Sequence, residues 1–145
     1  MNAIDFLIKE HNHVRQALAE IDNPSHQEET KRKMFQTLCQ DLIRHETMEH
    51  QVWYPHFKNA QRLNPTVKHL LSEEKIAEKI IKQFDHIHAQ QEWEQKFSKL
   101  KHDVEHHATE EEQKLFPEVK KLLTEDDLEK IGLDMFHFKQ DYQSH

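Results

Sequence analysis

The sequence predicts an all-α protein, and three observations support this fold class. Only one of the 145 residues is glycine, so the residues with positive φ that β-sandwiches, barrels and phosphate-binding loops need are nearly absent. Glu, Lys, Gln, Leu and Ala, which favour helices, are abundant. Apolar residues recur at alternating steps of three and four, which places them on one face of a helix. We therefore expect helices that bury their apolar faces against one another.

The first two predicted helices are separated by the helix-breaking sequence DNPS at residues 22–25. Asn2 is placed to cap the first helix, which runs to about Ile21. The second helix runs from about Gln27 to Ala60. Pro55 is expected to kink this helix or to end its regular part.

Two further long helices and one short helix complete the prediction. The third covers about Thr66 to Phe84, and the fourth covers about Gln91 to Leu123 and contains Pro117. The sequence TEDD at residues 124–127 resembles the start of a capping box, so a short fifth helix is expected over Asp127 to Tyr142.

The short connections between these helices predict their arrangement. Antiparallel neighbours joined by short loops form an up-down-up-down four-helix bundle. We expect the bundle over about residues 3–123 and a helical tail over about residues 124–145, within one domain that spans residues 1–145.

Charge and composition exclude several classes of partner. The formal charge is −7, from 27 acidic and 20 basic residues, so we expect no nucleic-acid-binding surface. The sequence contains no apolar run long enough to span a membrane, and its first residues do not resemble a signal peptide. The lone Cys39 cannot form an internal disulfide, which suits the cytoplasm. We expect a cytoplasmic monomer or homodimer that does not contact membranes.

Six polar residues interrupt the apolar faces of the four long helices, and each lies between apolar neighbours. Carboxylates and imidazoles are costly to bury without partners, and no Arg or Lys occupies these positions. Carboxylate and neutral imidazole are ligands that iron, manganese and zinc accept. The candidate metal ligands are His11, His45, Glu49, Glu74, His107 and Glu111. Most other histidines, among them His50, His69 and His106, lie off these faces or near helix ends and are expected in solvent. His88 continues the third face but lies in the turn after it.

A His-x3-Glu pattern occurs twice among these candidates. His45 precedes Glu49 and His107 precedes Glu111, and an aromatic residue and a proline follow each pair. Residues four apart share one helix face, so both side chains can reach one centre. The second and fourth helices lie diagonally opposite in the predicted bundle, where the two glutamates face each other. This pattern predicts a carboxylate-bridged pair of metals.

The residues assembled above resemble the hemerythrin-like, or HHE cation-binding, domain family over roughly residues 3–120. The sequence IDFL at residues 4–7, followed by Glu10 and His11, looks like the opening motif of the family, and the two His-x3-Glu segments look like its paired motifs. The resemblance implies a four-helix bundle with a non-haem di-iron centre that binds oxygen or related small molecules. It matches the family's ligands to His11, His45, Glu49, His107 and Glu111, with Glu49 and Glu111 as the bridging carboxylates.

The third helix departs from the family because its usual histidine is absent. The sequence SEEK at residues 72–75 offers either Glu74 or Lys75 in its place. Apolar residues follow Glu74 at steps of three, seven and ten, as they follow His11, whereas the same steps from Lys75 reach polar residues. Glu74 is therefore expected to take the ligand position. The resulting site has three His and three Glu.

An additional carboxylate adds negative charge at the metals and favours their oxidised state. We therefore expect a protein that binds or senses O2, hydrogen peroxide (H2O2) or nitric oxide (NO) through two iron ions (Fe2+/Fe3+), joined by an oxo or hydroxo bridge. Zinc and manganese are alternative metals. The alternative functions are a di-iron peroxidase or oxidase, iron storage or donation, and a structural zinc-binding bundle.

The residues that follow Glu49 along the second helix are expected to surround this site. Met48 and its apolar neighbours should shield the site from bulk water. Trp53 and Tyr54 are interpreted as core aromatic residues.

Overall fold

The protein is described here by a computed structural model of residues 1–142, which is helical and has no strand in that range. The helices are α1 (Ala3–Ile21), α2 (Glu28–Met48), α3 (Asn64–Gln83), α4 (Gln90–Glu110), α5 (Phe116–Leu122) and α6 (Glu125–Asp141). The all-α prediction is confirmed. The last three residues of the predicted tail lie outside the described residues, and the assignment of residues 1–145 to one domain stays a prediction.

Two predicted helix caps are present in the structure. The Asn2 side chain accepts a hydrogen bond of 2.9 Å from the backbone N–H of Asp5 at the start of α1. Thr124 and Asp127 bond reciprocally to each other's backbone N–H, which completes the capping box of α6. Because Thr124 is the cap, α6 begins at Glu125, two residues earlier than predicted.

The helices predicted over residues 27–60 and 91–123 are both irregular near their internal prolines, as expected for Pro55. A π-helical turn follows α2 at Glu49–Trp53, and a second π-helical turn separates α4 from α5 at Glu111–Leu115. A proline two residues after each turn has no N–H to continue the regular hydrogen-bond ladder. The preceding aromatic residue instead donates its N–H across the wider turn, to the carbonyl of Glu49 or Glu111.

The four long helices form an up-down-up-down bundle in which α1 packs against α2 and α3 packs against α4. Its core consists of two apolar clusters. The first, the Trp53 cluster, includes Leu7, Met48, Leu70 and Leu115. The second, the Trp93 cluster, includes Val14, Leu38, Ile80 and Leu100. The candidate ligands occupy the level between the two clusters.

The C-terminal helix α6 covers one side of the bundle and packs against α1 and α2. Gly132 allows a close approach, because a Cβ atom there would lie 2.3 Å from the Met1 carbonyl oxygen and 2.9 Å from the Ala3 nitrogen. The predicted helix in the C-terminal tail is therefore confirmed. Its one glycine lets α6 pack closely against the first residues of the chain. Among the described residues, no helix combines the length and the apolar character needed to cross a bilayer.

Candidate metal centre

The six predicted ligands lie at one interior level of the bundle. Glu49 and Glu111 are fully buried, and His11 and Glu74 are 4% and 7% exposed. The side chains of His45 and His107 are also largely buried. Along each helix, apolar residues of the Trp53 cluster lie on one side of this level and those of the Trp93 cluster lie on the other. The inward orientation predicted from the 3–4 spacing is therefore correct for all six side chains.

Two overlapping groups of ligand atoms meet at Glu111. One group joins His11, His45 and Glu111, and the other joins Glu49, His107 and Glu111; the ligand atoms within each group lie within 4.8 Å of one another. Oε1 of Glu111 lies 3.5 Å from His11 Nε2, and its Oε2 lies 4.0 Å from His107 Nε2. The two carboxylate oxygens of Glu111 thus face opposite sides of the site.

Glu49 is placed in a similar way on the opposite side of the bundle. Its Oε1 lies 2.9 Å from His45 Nε2, on the same helical segment, while the carboxylate also belongs to the group that contains His107. Each His-x3-Glu pair therefore brings its imidazole and carboxylate together, and each glutamate reaches the group of the other pair. Both glutamates therefore lie within reach of ligands from both His-x3-Glu pairs.

Glu74 reaches the same level from α3. Its Oε1 lies 3.7 Å from His107 Nε2, and its Oε2 accepts a 2.8 Å hydrogen bond from His50. Lys75 is exposed, so the periodicity argument predicted the correct orientation for both residues. The contact of His50 was missed, because this histidine lies off the predicted buried face.

The donor set fits a cation because its inward atoms make no hydrogen bonds within the described residues. Both carboxylate oxygens of Glu49, Oε1 of Glu74, Nε2 of His107 and Oε1 of Glu111 are buried and make no hydrogen bond to the described residues. Buried polar atoms without partners are rare and cost about 1–3 kcal/mol each. Five of them at one level of a folded core are consistent with cations as their partners.

Three outer carboxylates hold the ligand histidines from behind. Each contacts Nδ1 of one imidazole, which leaves Nε2 directed into the site, as is typical of metal-binding histidines. Each is also adjacent in sequence to a predicted ligand, and this adjacency is the signal by which the outer carboxylates can be found. The pairs are His11–Glu112 at 2.7 Å, His45–Glu10 at 3.0 Å and His107–Glu73 at 3.1 Å.

The electrostatics of the two central carboxylates differ. Burial, reinforced by the charge of Glu111, raises the pKa of Glu49 well above its ordinary value. Burial also acts to raise the pKa of Glu111, but contacts with His11 and Glu49 and the charge of His107 lower it to about 2. Two carboxylates of like charge at this depth do not both ionise without a cation between them. In the metal-free protein, Glu49 is therefore the carboxyl that keeps a proton.

The aromatic residues near the π-helical turns pack against the ligands. Tyr54 is buried in the core, as predicted, and its hydroxyl donates a 3.1 Å hydrogen bond to Oε2 of Glu111. The ring of Phe116 stacks on the imidazole of His11, with 6.1 Å between centroids. Met48, predicted to shield the site, is 1% exposed. Core aromatic residues therefore also fix the positions of two ligands.

Comparisons with known proteins agree with this geometry. The family model described as "Hemerythrin HHE cation binding domain" matches residues 2–119 of the chain. Among solved structures, the crystal structure of a hemerythrin HHE cation binding domain-containing protein from Mycobacterium kansasii is similar. It has a TM-score of 0.81 and 25% sequence identity, over 97% of this chain and 86% of that chain. A search of the curated proteins finds no match.

The family model covers the four long helices and both His-x3-Glu segments, and the similar crystal structure covers nearly the whole chain. This confirms the resemblance inferred from the motifs. With its buried layer of histidine and glutamate side chains, this chain is a member of the hemerythrin HHE cation-binding domain family.

Proposed function

We propose that the protein binds or senses O2, peroxide or nitric oxide through a non-haem di-iron centre. The ligands in this proposal are His11, His45, Glu49, Glu74, His107 and Glu111. The observation that carries the proposal is the set of five buried ligand atoms that make no hydrogen bond at the level where these side chains meet. Iron is a metal that this mixture of imidazole and carboxylate donors accepts.

The protein's own residues would position the metals as follows. Glu111 presents its two oxygens toward His11 and His107, while Glu49 contacts His45 and belongs to the group that contains His107. These contacts support bridging roles for both glutamates. The outer carboxylates fix the imidazoles with Nε2 inward. Tyr54 holds Oε2 of Glu111. Bound iron would supply an open coordination position and redox chemistry toward the small ligand.

The environment of the site favours an oxidised resting state. Three ligands are carboxylates, and Lys and Arg are absent from the ligand positions. Negative ligands stabilise the higher charge of ferric iron more than that of ferrous iron. The apolar clusters on both sides keep bulk water from the layer, as illustrated by Leu7 and Leu115, which are fully buried. A protein that oxidises readily on meeting its ligand fits a sensor better than a reversible carrier.

Metal analysis of protein produced without added zinc or nickel tests the proposal. We expect about two iron ions per chain and near-ultraviolet absorption typical of a ferric pair. After anaerobic reduction, addition of O2, H2O2 or NO should change this spectrum. Zinc as the bound metal, or an iron spectrum that none of the three ligands changes, would contradict the proposal. Turnover of excess peroxide would identify an enzyme instead of a sensor.

A further inference from the structure

A second cluster of histidine and glutamate side chains lies on the outside of α3 and α4. It consists of two more pairs at a spacing of four, His69 with Glu73 and His106 with Glu110. Nε2 of His69 lies 2.9 Å from Glu110 Oε2, and Nε2 of His106 lies 3.1 Å from Glu110 Oε1. Oε2 of Glu73 lies 3.5 Å from each imidazole. The four side chains therefore converge across two antiparallel helices.

Glu110 is the buried member of this surface cluster. The residue is 9% exposed, and its Oε2 makes no hydrogen bond to the described residues, although the imidazole of His69 lies at ion-pair distance. A buried carboxylate oxygen without a donor is unfavourable. A cation among these side chains would satisfy this oxygen.

The charge of Glu73 is compensated differently from that of the other two outer carboxylates. Glu10 is paired with Lys139 at 2.8 Å, and Glu112 is paired with Arg15 at 2.9 Å. No Lys or Arg in residues 1–142 pairs with Glu73, whose Oε1 contacts His107 while its Oε2 faces the surface cluster. A cation bound there would occupy the place that Lys and Arg take at the other two positions.

Access to the cluster is open on one side. A cavity of about 320 Å³ lies beside it and is lined by His69 and Glu110 together with Pro65, Thr66 and Leu70. This space allows water to complete a coordination shell. Lys114 also lines the cavity and lies 3.2 Å from Glu110 Oε1, but its side chain is 62% exposed and free to move away.

We propose that His69, Glu73, His106 and Glu110 bind a divalent cation with the ligand preference of Zn2+, separately from the buried centre. Two imidazoles and two carboxylates are a donor set that zinc accepts in four-coordinate sites. The side chains already lie within a short reach of one another, and His69, Glu73 and Glu110 offer ligand atoms within 4.8 Å of each other. Both imidazoles are about half exposed, so they can rotate toward a bound cation.

Titration with Zn2+ of purified protein with known metal content tests this site. We expect the wild type to bind one Zn2+ per chain beyond the metal present in the buried centre. The double variant His69→Gln/His106→Gln should lose that equivalent, or bind it at least about tenfold more weakly, with unchanged buried metal. Glu73 is not substituted, because it also holds His107. His88→Gln, at an exposed position between α3 and α4, is the matched control and should bind Zn2+ like the wild type.

The outcomes separate this site from the proposed iron centre. If the wild type binds no Zn2+ beyond the buried metal, or if the double variant binds it with unchanged affinity, the surface site is wrong, whatever metal the buried centre holds. Circular dichroism checks that the double variant folds. The variant Lys114→Gln tests the site with all four proposed ligands in place. Because the Lys114 ammonium competes with Zn2+ for Glu110, its loss should tighten Zn2+ binding about two- to fivefold. Unchanged or weaker binding in that variant also contradicts the site.

Discussion

Replacing Glu49 by glutamine should change the stability of the protein in opposite directions with and without metal. Glu49 is fully buried, has two oxygens without hydrogen-bond partners and is proposed to bridge the two cations. Glutamine has nearly the same shape but no charge, and its amide cannot replace a bridging carboxylate. Glu49→Gln therefore separates the role of the charge from the role of packing.

In the metal-loaded protein, the variant should be less stable. A cation present at about 100 times its Kd stabilises a fold by about 2.7 kcal/mol. For a chain of this size, about 1 kcal/mol corresponds to about 3 °C in Tm, so the loss of one cation should lower Tm by about 8 °C.

In the metal-free protein, the variant should be more stable than the wild type. Burial and the charge of Glu111 raise the pKa of Glu49 in the fold, whereas the unfolded chain ionises this carboxyl at its ordinary pKa. Metal-free wild type therefore loses stability as pH rises from the ordinary value to the raised one. Glutamine needs no proton, so at neutral pH Glu49→Gln avoids this loss and should raise Tm after chelation.

Thermal unfolding at neutral pH, measured before and after treatment with a chelator, distinguishes the two cases. Glu29→Gln makes the same chemical change at an exposed position near the start of α2, and its Tm should follow that of the wild type in both states. An equal loss of Tm by Glu49→Gln with and without chelator would refute the metal-bridging argument, since packing alone would then explain the effect.

Four further substitutions test the site and the bundle. Glu74→Ala should lower metal content while Lys75→Ala leaves it unchanged, because only Glu74 faces the site; the reverse result in metal analysis would assign the ligand position to Lys75. Glu111→Ala should lose at least one metal and lower Tm, and retention of two metals would contradict its bridging role. Gly132→Ala should lower the free energy of unfolding in denaturant titration by about 1–3 kcal/mol, because its Cβ would collide with the Met1 carbonyl; wild-type stability would show that α6 packs less closely.

The sequence was sufficient to predict the bundle and its layer of candidate ligands. The 3–4 spacing of apolar residues determines which helix face is buried, so a polar residue on that face, such as Glu74, is recognisable without a structure. The same reasoning oriented Lys75 toward solvent, where the structure places it. These predictions succeeded because they depend only on the regular geometry of one helix at a time.

Contacts between helices could not be predicted in this way. His50, His69 and His106 were assigned to solvent because each lies off the buried face of its own helix, yet each meets a glutamate of a neighbouring helix. Glu73 lies beside a predicted ligand in the sequence, but its contact with His107 depends on how α3 and α4 are placed. The sequence of one helix does not encode the rotation of its neighbour.

The π-helical turns direct the aromatic residues that follow each His-x3-Glu motif toward the ligands, which the spacing of the ligands alone does not explain. Each turn begins at a proposed bridging glutamate. The last residue of the turn and the residue after it are both buried: Trp53 and Tyr54 in one segment, and Leu115 and Phe116 in the other. A regular α-helix rotates successive residues by about 100° and would not direct both inward as fully. The wider turn allows each segment to place an aromatic ring against a ligand of a different helix, as Tyr54 does with Glu111 and Phe116 does with His11. The aromatic residue and proline after each His-x3-Glu are therefore part of the same structural unit as the ligands, since the proline favours the turn and the aromatic residue holds a ligand of another helix.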